Sequence, residues 1–276
     1  MLMQADKPKI GSQGTSMLDQ NVLSTGVTHA SFIAKPGSGP DSVVDQVRET
    51  GFVVIQGVET QDDLNSWIAH FGRVMPQYDG SLAYEVRVES GFDDRAYSKS
   101  QNEIRAHTEA PGWQSPPKFL ALWCHIQAQG AGGETCLADM KDYLKRLDPT
   151  VVERLRSWNI RWSGTNASGT GSAGAVAPIL AADGSSDEVL RFSYNLLTSG
   201  EYDPPLDGEV PRELLPWGRF GFDLAHQVHD YFKHSALKIR IPEHAVLLWD
   251  NHRMAHARVP YADARRHLTR YWIAVA

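Results

Sequence analysis

The stretches LKIRI (237–241), AVLLWD (245–250) and HLTRYWIAV (267–275) decide the fold that the sequence predicts. Each is a short run of apolar, β-branched or aromatic residues, and polar or turn-forming residues separate one run from the next, as is typical of β-strands. FLALWCHI (119–126) and ETCLADM (134–140) have the same character. The second half of the chain is therefore expected to be dominated by short strands.

Helical patterns occur mostly earlier in the chain. DSVVDQVRET (41–50) has a helical apolar rhythm that Gly51 can end, and DDLNSWIAHFG (62–72) is a second amphipathic helix. Residues 141–158 and 222–235 are also predicted to be helical. Helices that flank many short strands indicate a mainly β protein with a sandwich or jelly-roll core.

The ends and the long polar stretches predict the domain organisation. Residues 1–25 are polar and are expected to form a flexible tail, so that residues 26–276 form a single domain. Residues 73–117 are rich in Gly, Pro, Asp and Ser and are predicted to be irregular, and the small residues at 166–178 predict a mobile loop. One or both of the loops at 73–106 and 165–178 are expected to close over a substrate.

Composition narrows the class of protein. The net charge is -6, which disfavours nucleic acid as a partner because no basic excess is available to neutralise phosphates. Two cysteines, Cys124 and Cys136, make no disulfide framework. The chain has neither a secretory signal pattern nor an apolar run that could span a membrane, so a cytoplasmic protein with no membrane partner is expected.

The pair His107 and Glu109 is a candidate for metal binding. Residues two apart point to the same side of an extended chain, so both side chains can reach one ion. A second histidine from a distant strand, His256, would complete a set of two imidazoles and one carboxylate, which leaves one face of an iron(II) ion open. A surface histidine near an unrelated glutamate is the alternative interpretation of the pair, and His252 is a second candidate for the distal ligand.

Two further residues fit a 2-oxoglutarate co-substrate. Its distal carboxylate needs a cation with two parallel donors, which an arginine supplies, and Arg270 lies on the strand that follows His256. A turn at 260–266 would place that strand beside the one that carries His256. Thr135 could add a hydroxyl donor. Taken singly, Arg270 could be an exposed strand residue and Thr135 an ordinary β-residue.

Five motifs together resemble the taurine dioxygenase-like superfamily of Fe(II)/2-oxoglutarate oxygenases from about residue 40 to the C-terminus. They are NEIRAHTE (102–109), PPKFLALWC (116–124), GGETCLAD (132–139), LLWDNHRMAHAR (247–258) and HLTRYW (267–272). The resemblance implies a double-stranded β-helix (jelly-roll) core, with iron(II) as the metal and 2-oxoglutarate and dioxygen as co-substrates. It implies iron ligands at His107, Glu109 and His256, 2-oxoglutarate contacts from Thr135 and Arg270, and Trp249 packed beside the site.

Two departures from the taurine enzymes indicate a branch of this superfamily. Glu109 stands where those enzymes have Asp, and the arginine lies one residue closer to the distal histidine. Both features resemble the clavaminate synthase and asparagine oxygenase type, and HTEAPGWQSPPKFLALWC (107–124) is similar to isonitrile-biosynthesis oxygenases. This resemblance implies a small amino-acid-like substrate in natural-product biosynthesis. Glu109 also disfavours halogenation, because related halogenases have Ala or Gly there.

Several other residues have weaker claims. Arg191, Asn102 and Arg105 could contact the substrate, although surface or structural roles are the simpler interpretation. His226 and His229 share a helix face with His234 nearby, and we interpret this group as a polar surface rather than a second metal site.

An oxygenase that hydroxylates, desaturates or cyclises its substrate is the favoured function. The alternatives are a zinc-dependent hydrolase and a catalytically inactive jelly-roll binding protein. The first would leave Arg270 and Thr135 without a role, and the intact ligand set counts against the second.

Overall fold

The computed structural model describes residues 22–23, 33–34, 38–164, 173–182, 188–207 and 210–275. The strands are β1 (Val22–Leu23), β2 (Ile33–Ala34), β3 (Phe52–Gln56), β4 (Arg73–Met75), β5 (Tyr84–Val86), β6 (Ile104–His107), β7 (Phe119–Ile126), β8 (Thr135–Asp139), β9 (Ile160–Trp162), β10 (Ala175–Ala177), β11 (Leu180–Ala182), β12 (Glu188–Leu190), β13 (Leu237–Ile239), β14 (Ala245–Asp250), β15 (Met254–Arg258) and β16 (His267–Ala274). The helices are α1 (Pro40–Thr50), α2 (Gln61–Ile68), α3 (Met140–Leu144), α4 (Pro149–Ser157), α5 (Tyr194–Ser199) and α6 (Gly218–Ser235).

Two β-sheets form the body of the protein. The larger has the order β2-β3-β14-β7-β16-β4, with β5 also paired to β16, and the smaller has the order β1-β13-β8-β15-β6. Their inner faces pack on one another through buried apolar side chains that include Leu122, Leu247, Trp272, Leu137, Ile239 and Met254. Two packed, mostly antiparallel sheets with crossing connections are the predicted double-stranded β-helix, or jelly roll.

Helices cover the outer face of the larger sheet. Val246 and Leu248 of β14 pack in one core cluster with residues of α1 and α2, whereas Leu247 and Trp249 pack between the sheets. Burial on both faces is the reason that AVLLWD is apolar at nearly every position. Both helices have strong end signals: Gly51 follows α1 with a φ of 88°, and Thr60 closes a capping box with Asp63 at the start of α2.

The smaller sheet is covered by α6. Leu224, Ala225 and Val228 of this helix share a core cluster with Ala138 and Ala255, which lie on neighbouring strands. The helix thereby fixes the outer side of the sheet whose inner side carries the candidate metal ligands. No helix in the described ranges is both long and apolar enough to cross a membrane.

The structure corrects several sequence predictions. The stretch 73–117 contains β4, β5 and β6, so it is not irregular throughout. The predicted strand at 189–195 ends at Leu190, and Ser193 instead caps α5. The second amphipathic helix ends at Ile68 rather than near Gly72.

The arginine-bearing strand also lies elsewhere than predicted. β16 pairs with β7 in the larger sheet, whereas β15, which carries His256, pairs with β6 and β8 in the smaller one. The two strands therefore lie in different sheets instead of side by side.

Two predicted segments lie partly outside the described residues. Of the predicted tail, only Val22 and Leu23 are described, and they pair with β13. Of the predicted mobile loop at 166–178, only residues 173–178 are described, and Ala175–Ala177 form β10.

Candidate active site

His107 is the last residue of β6, and its ring is oriented by the backbone of its own strand. Its Nδ1 lies 2.8 Å from the carbonyl oxygen of Arg105. Because a carbonyl can only accept a hydrogen bond, Nδ1 carries the proton and donates it. Nε2 is therefore left with its lone pair, which is the form that binds a metal ion.

Glu109 follows directly after the strand and is fixed through its backbone. The preceding residue, Thr108, exchanges hydrogen bonds with Phe192, through N to O at 2.8 Å and through its Oγ1, which accepts from Phe192 N at 2.9 Å. Glu109 N donates to Oδ1 of Asn251 at 2.7 Å, and Nδ2 of Asn251 donates to the Glu109 carbonyl at 3.2 Å. Asn251 is fully buried, so these bonds are shielded from competing water.

His256 joins this pair because β15 runs antiparallel to β6. The two histidines are register partners, and their ring centroids are 4.1 Å apart. His256 Nε2 lies 3.7 Å from Oε2 of Glu109. The ring of Trp249 packs 5.0 Å from that of His256, as predicted.

The donor set fits a mononuclear iron(II) ion. One ligand atom from each of His107, Glu109 and His256 lies within 4.8 Å of the others, and no other such cluster occurs among the described residues. Two imidazoles and a carboxylate on one side of an ion leave its other side accessible, which non-haem iron oxygenases require. His252 is not part of the cluster, since its Nε2 lies 3.1 Å from the Pro116 carbonyl.

The protonation states also suit metal binding. Burial, with His256 beside it, lowers the pKa of His107 to about 3, so its imidazole is neutral. Burial alone would raise the pKa of Glu109, but Arg270 and the two histidines lower it to about 2. The glutamate is therefore a carboxylate at neutral pH.

The ligands line a cavity between the two sheets. Its wall combines aromatic and aliphatic side chains with four arginines, Arg105, Arg258, Arg266 and Arg270. Among the described residues that line it, the only acids are Glu109 and Asp203. A cavity of this composition suits a small molecule that carries charged groups.

Arg270 on β16 and Arg266 in the turn before that strand have different partners. Arg270 lies with NH1 3.0 Å from Oε1 of Glu109, and its Nε donates to Gln77 Oε1 at 2.9 Å. Arg266 donates from Nε to the Gly133 carbonyl at 3.2 Å, and its buried NH1 has no hydrogen-bond partner among the described residues. Gly133 is two residues before Thr135, which is buried at the start of β8 and lines the cavity.

Arg191 and Asn102 do not face the cavity. Arg191 is buried and donates to the carbonyl oxygens of Pro111, Trp113 and Gln114, so it holds the loop after Glu109 in place. Asn102 donates to two carbonyl oxygens in the loop before β6. Both are structural, which is the simpler of the two roles weighed from the sequence.

Arg105 does line the cavity, and a histidine of α6 supports it. His229 Nε2 lies 2.7 Å from NH1 of Arg105, and burial together with this arginine lowers the pKa of His229 to about 4. The neutral imidazole thus accepts from Arg105. His226 packs its ring on Tyr194, and no metal cluster forms on this helix within the described residues.

Sequence reasoning missed four residues that shape the site: Asn251, Gln77, Tyr78 and Asp203. Tyr78 donates from its hydroxyl to Glu109 Oε1 at 3.3 Å. Asn251 lies inside a motif that the sequence singled out, but nothing local distinguishes it from a turn residue. The other three lie in loops without a regular pattern, so only their tertiary contacts reveal them.

Comparison with solved structures shows that the fold is shared with iron oxygenases. An asparagine oxygenase bound to Fe(II), 2S,3S-3-hydroxyasparagine and succinate has a TM-score of 0.65 and 16% identity, over 87% of this chain and 80% of the other. The non-haem iron oxygenase OrfP, in complex with Fe, succinate and (3S)-hydroxy-L-Arg, has a TM-score of 0.64 and 14% identity, over 87% of this chain and 82% of the other. PvcB, an oxygenase from an isonitrile synthetic pathway, has a TM-score of 0.58 and 18% identity, over 86% of this chain and 80% of the other.

The family follows from a match to a family model. No individual curated protein sequence matches the chain. The family model described as taurine catabolism dioxygenase TauD, TfdA family matches residues 36–272, which is most of the chain. The chain therefore belongs to the TauD/TfdA family and is an oxidoreductase of the non-haem iron(II), 2-oxoglutarate-dependent type.

Proposed function

We propose that this enzyme oxidises a C–H bond of a small amino acid or an amino-acid-derived intermediate of natural-product biosynthesis. The observation that carries the proposal is the cavity itself, which is lined by the three candidate metal ligands, four arginines and one further acid, Asp203. Hydroxyasparagine and hydroxyarginine are bound in two of the structural neighbours. A molecule with both a carboxylate and an ammonium group matches such a lining.

His107, Glu109 and His256 would hold the iron. When bound, iron(II) lets 2-oxoglutarate and dioxygen react so that one oxygen atom enters succinate and the other serves to oxidise the substrate, with release of CO₂. The chain prepares the ligands for this: Arg105 O fixes the tautomer of His107, and Asn251 fixes the direction of Glu109. Hydroxylation, desaturation and cyclisation all need this same arrangement.

The 2-oxoglutarate subsite is proposed at Thr135 and at one of two arginines, Arg266 in the turn before the last strand or Arg270 on it. Arg270, which the sequence favours, is already bonded to Glu109 and Gln77. Arg266 lies next to the Thr135 strand with a buried NH1 that a carboxylate could satisfy, because an unpaired buried donor is costly. This contact pattern supports Arg266 as the main partner of the distal carboxylate, while the role of Arg270 stays a prediction.

The test is substrate-dependent succinate formation. Protein loaded anaerobically with Fe(II) and 2-oxoglutarate is exposed to oxygen with each L-amino acid and, in parallel, with the decarboxylated amine. We expect at least one amino acid to stimulate succinate release well above the substrate-free rate, and its amine to fail. Amines that work as well as acids, or a response to carrier-tethered substrates alone, would refute the substrate class.

Two controls separate the chemistry from the substrate. His107→Ala and His256→Ala should each abolish both iron binding and turnover while circular dichroism stays that of the wild type. Protein loaded with zinc should produce no succinate. Wild-type turnover in either variant would refute the ligand assignment, and hydrolysis of an ester or amide by the zinc form would favour a hydrolase instead.

A further inference from the structure

The two carboxylate oxygens of Glu109 face different neighbours. Oε2 lies 3.7 Å from Nε2 of His256, which is itself a candidate metal ligand. Oε1 lies 3.0 Å from NH1 of Arg270 and accepts a hydrogen bond from the Tyr78 hydroxyl at 3.3 Å. One oxygen is therefore directed toward the other candidate ligand, while two donors from distant parts of the chain bind the other oxygen.

Arg270 is held in this position by several contacts of its own. Its Nε donates to Oε1 of Gln77 at 2.9 Å, and Nε2 of Gln77 donates back to the Arg270 carbonyl at 2.8 Å. The guanidinium also lies over the rings of Tyr84 and Trp272, at 4.7 and 5.4 Å from their centroids. Because both Arg270 and Gln77 are buried, the donor that reaches Glu109 has little freedom to move away.

Packing fixes the ring of Tyr78. This half-buried side chain lies edge-on to the indoles of Trp272 and Trp113, with centroid distances of 4.8 and 6.2 Å. Such aromatic contacts involve the ring and not the hydroxyl. A phenylalanine at position 78 is thus expected to keep the ring in place and to remove only the hydrogen bond to Glu109.

The difference between the two oxygens matters for the number of positions that a metal ion keeps open. An iron(II) ion bound by two imidazoles and one carboxylate oxygen keeps its remaining positions for 2-oxoglutarate, which chelates through two atoms, and for dioxygen. A carboxylate that bound through both of its oxygens would take one of those positions. Donors that bind one oxygen compete with the metal for its lone pairs.

We propose that Tyr78 and Arg270 are positioning residues that hold Oε1 of Glu109 away from the metal, so that the carboxylate binds iron through Oε2 alone. This inference rests on one part of the proposed function, namely that His107, Glu109 and His256 hold the iron, and it does not depend on the substrate class. It gives Arg270 a role that needs no direct contact with 2-oxoglutarate.

The first test is a crystal structure of the wild-type protein with Mn(II), a metal that accepts nitrogen and oxygen ligands. We expect Oε2 of Glu109 to bind the ion, and Oε1 to stay within hydrogen-bond distance, about 3.2 Å or less, of Arg270 and of the Tyr78 hydroxyl. Binding of the ion through Oε1, or through both oxygens, would overturn the proposal.

The second test removes the hydroxyl donor with Tyr78→Phe. Anaerobic protein loaded with Fe(II) is titrated with 2-oxoglutarate, and the visible absorption of the resulting chelate is recorded. We expect Kd for 2-oxoglutarate to rise about tenfold, as for the loss of one hydrogen bond to a charged group, because the freed oxygen competes for the metal. The absorption should also shift to longer wavelength, because a carboxylate with one hydrogen bond fewer donates more charge to the iron.

Tyr271→Phe is the matched control. Tyr271 follows Arg270 directly on β16, and its hydroxyl donates to Oε1 of Gln61 at 2.9 Å. Its side chain packs in the core cluster on the other face of the larger sheet, as expected for the next residue of a strand. This variant loses a similar hydroxyl bond and should leave both Kd and the absorption unchanged. Equal changes in both variants would show a general loss of order and overturn the proposal.

The remaining outcomes separate this inference from the ligand assignment. If the wild type binds no metal at His107, Glu109 and His256, both fail. If the metal binds there and Tyr78→Phe keeps the wild-type Kd and absorption, this inference fails and the ligand assignment stands. A rise in Kd without a shift of the absorption would mean that Tyr78 acts by touching 2-oxoglutarate, and it would overturn the positioning role as well.

Discussion

Replacing Asn251 by alanine should weaken iron binding and stability together. Its side chain makes three buried hydrogen bonds: Oδ1 accepts from Glu109 N at 2.7 Å, and Nδ2 donates to the carbonyls of Glu109 at 3.2 Å and of Pro117 at 2.9 Å. At about 1 kcal/mol for each bond, the variant should lose about 3 kcal/mol of unfolding free energy. That loss lowers Tm by roughly 6 to 12 °C in a domain of this size.

The effect on iron follows from the position of Glu109. Without Asn251, the N and O of Glu109 lose their hydrogen bonds to this side chain. The backbone is then held only beside Glu109, through Thr108 and Phe192 before it and through the Arg191 contacts after it. Loss of a group that orients a metal ligand typically costs about 10- to 100-fold in affinity. Anaerobic titration with Fe(II) against a competing chelator measures this change, and thermal unfolding followed by circular dichroism measures the change in stability.

Asn102→Ala is the matched control for Asn251→Ala. Asn102 also donates two hydrogen bonds from Nδ2 to carbonyl oxygens, both at 2.8 Å, but it contacts no candidate iron ligand. This variant should lose about 2 kcal/mol of stability and bind iron within about twofold of the wild type, a change too small to count as loss of an orienting group. Wild-type iron affinity in Asn251→Ala, or an equal loss in Asn102→Ala, would refute the reasoning.

Three further outcomes are expected. Glu109→Asp should retain more iron binding and turnover than Glu109→Ala, because the charge survives although the reach shortens by one methylene; equal loss in both would contradict this. Arg266→Lys should raise KM for 2-oxoglutarate by about tenfold or more, because lysine lacks the two parallel donors of arginine. Arg270→Lys should raise this KM less. A larger increase in Arg270→Lys than in Arg266→Lys would support the assignment of Arg270 made from the sequence. Burial raises the pKa of Cys124 and of Cys136 to about 12, so both thiols are protonated at pH 8. Iodoacetamide should therefore label neither thiol until the protein unfolds. Rapid labelling of the native protein would show that at least one thiol is accessible.

The sequence by itself determined many of the strands and helices and the types of residue that are candidates for metal binding. AVLLWD is apolar at nearly every position, which predicts a buried strand, and β14 is covered on both faces. Gly51 predicts the end of α1, and the chain has a left-handed conformation there. The spacing of His107 and Glu109 made them a candidate pair, and the resemblance of the linked motifs to the oxygenase superfamily indicated that they are iron ligands. These features depend on neighbours in the chain, so a sequence pattern carries them.

Only the tertiary structure decided which distant residues meet. β15 and β16 are separated by a short turn and yet belong to opposite sheets, so Arg270 faces the cavity from the wall across from His256. The bond between Asn251 and Glu109 joins residues 142 positions apart, and the one between Gln77 and Arg270 joins residues 193 apart. Such contacts have no periodicity or spacing along the chain, because their geometry is set by the packing of whole sheets and not by the residues next to them.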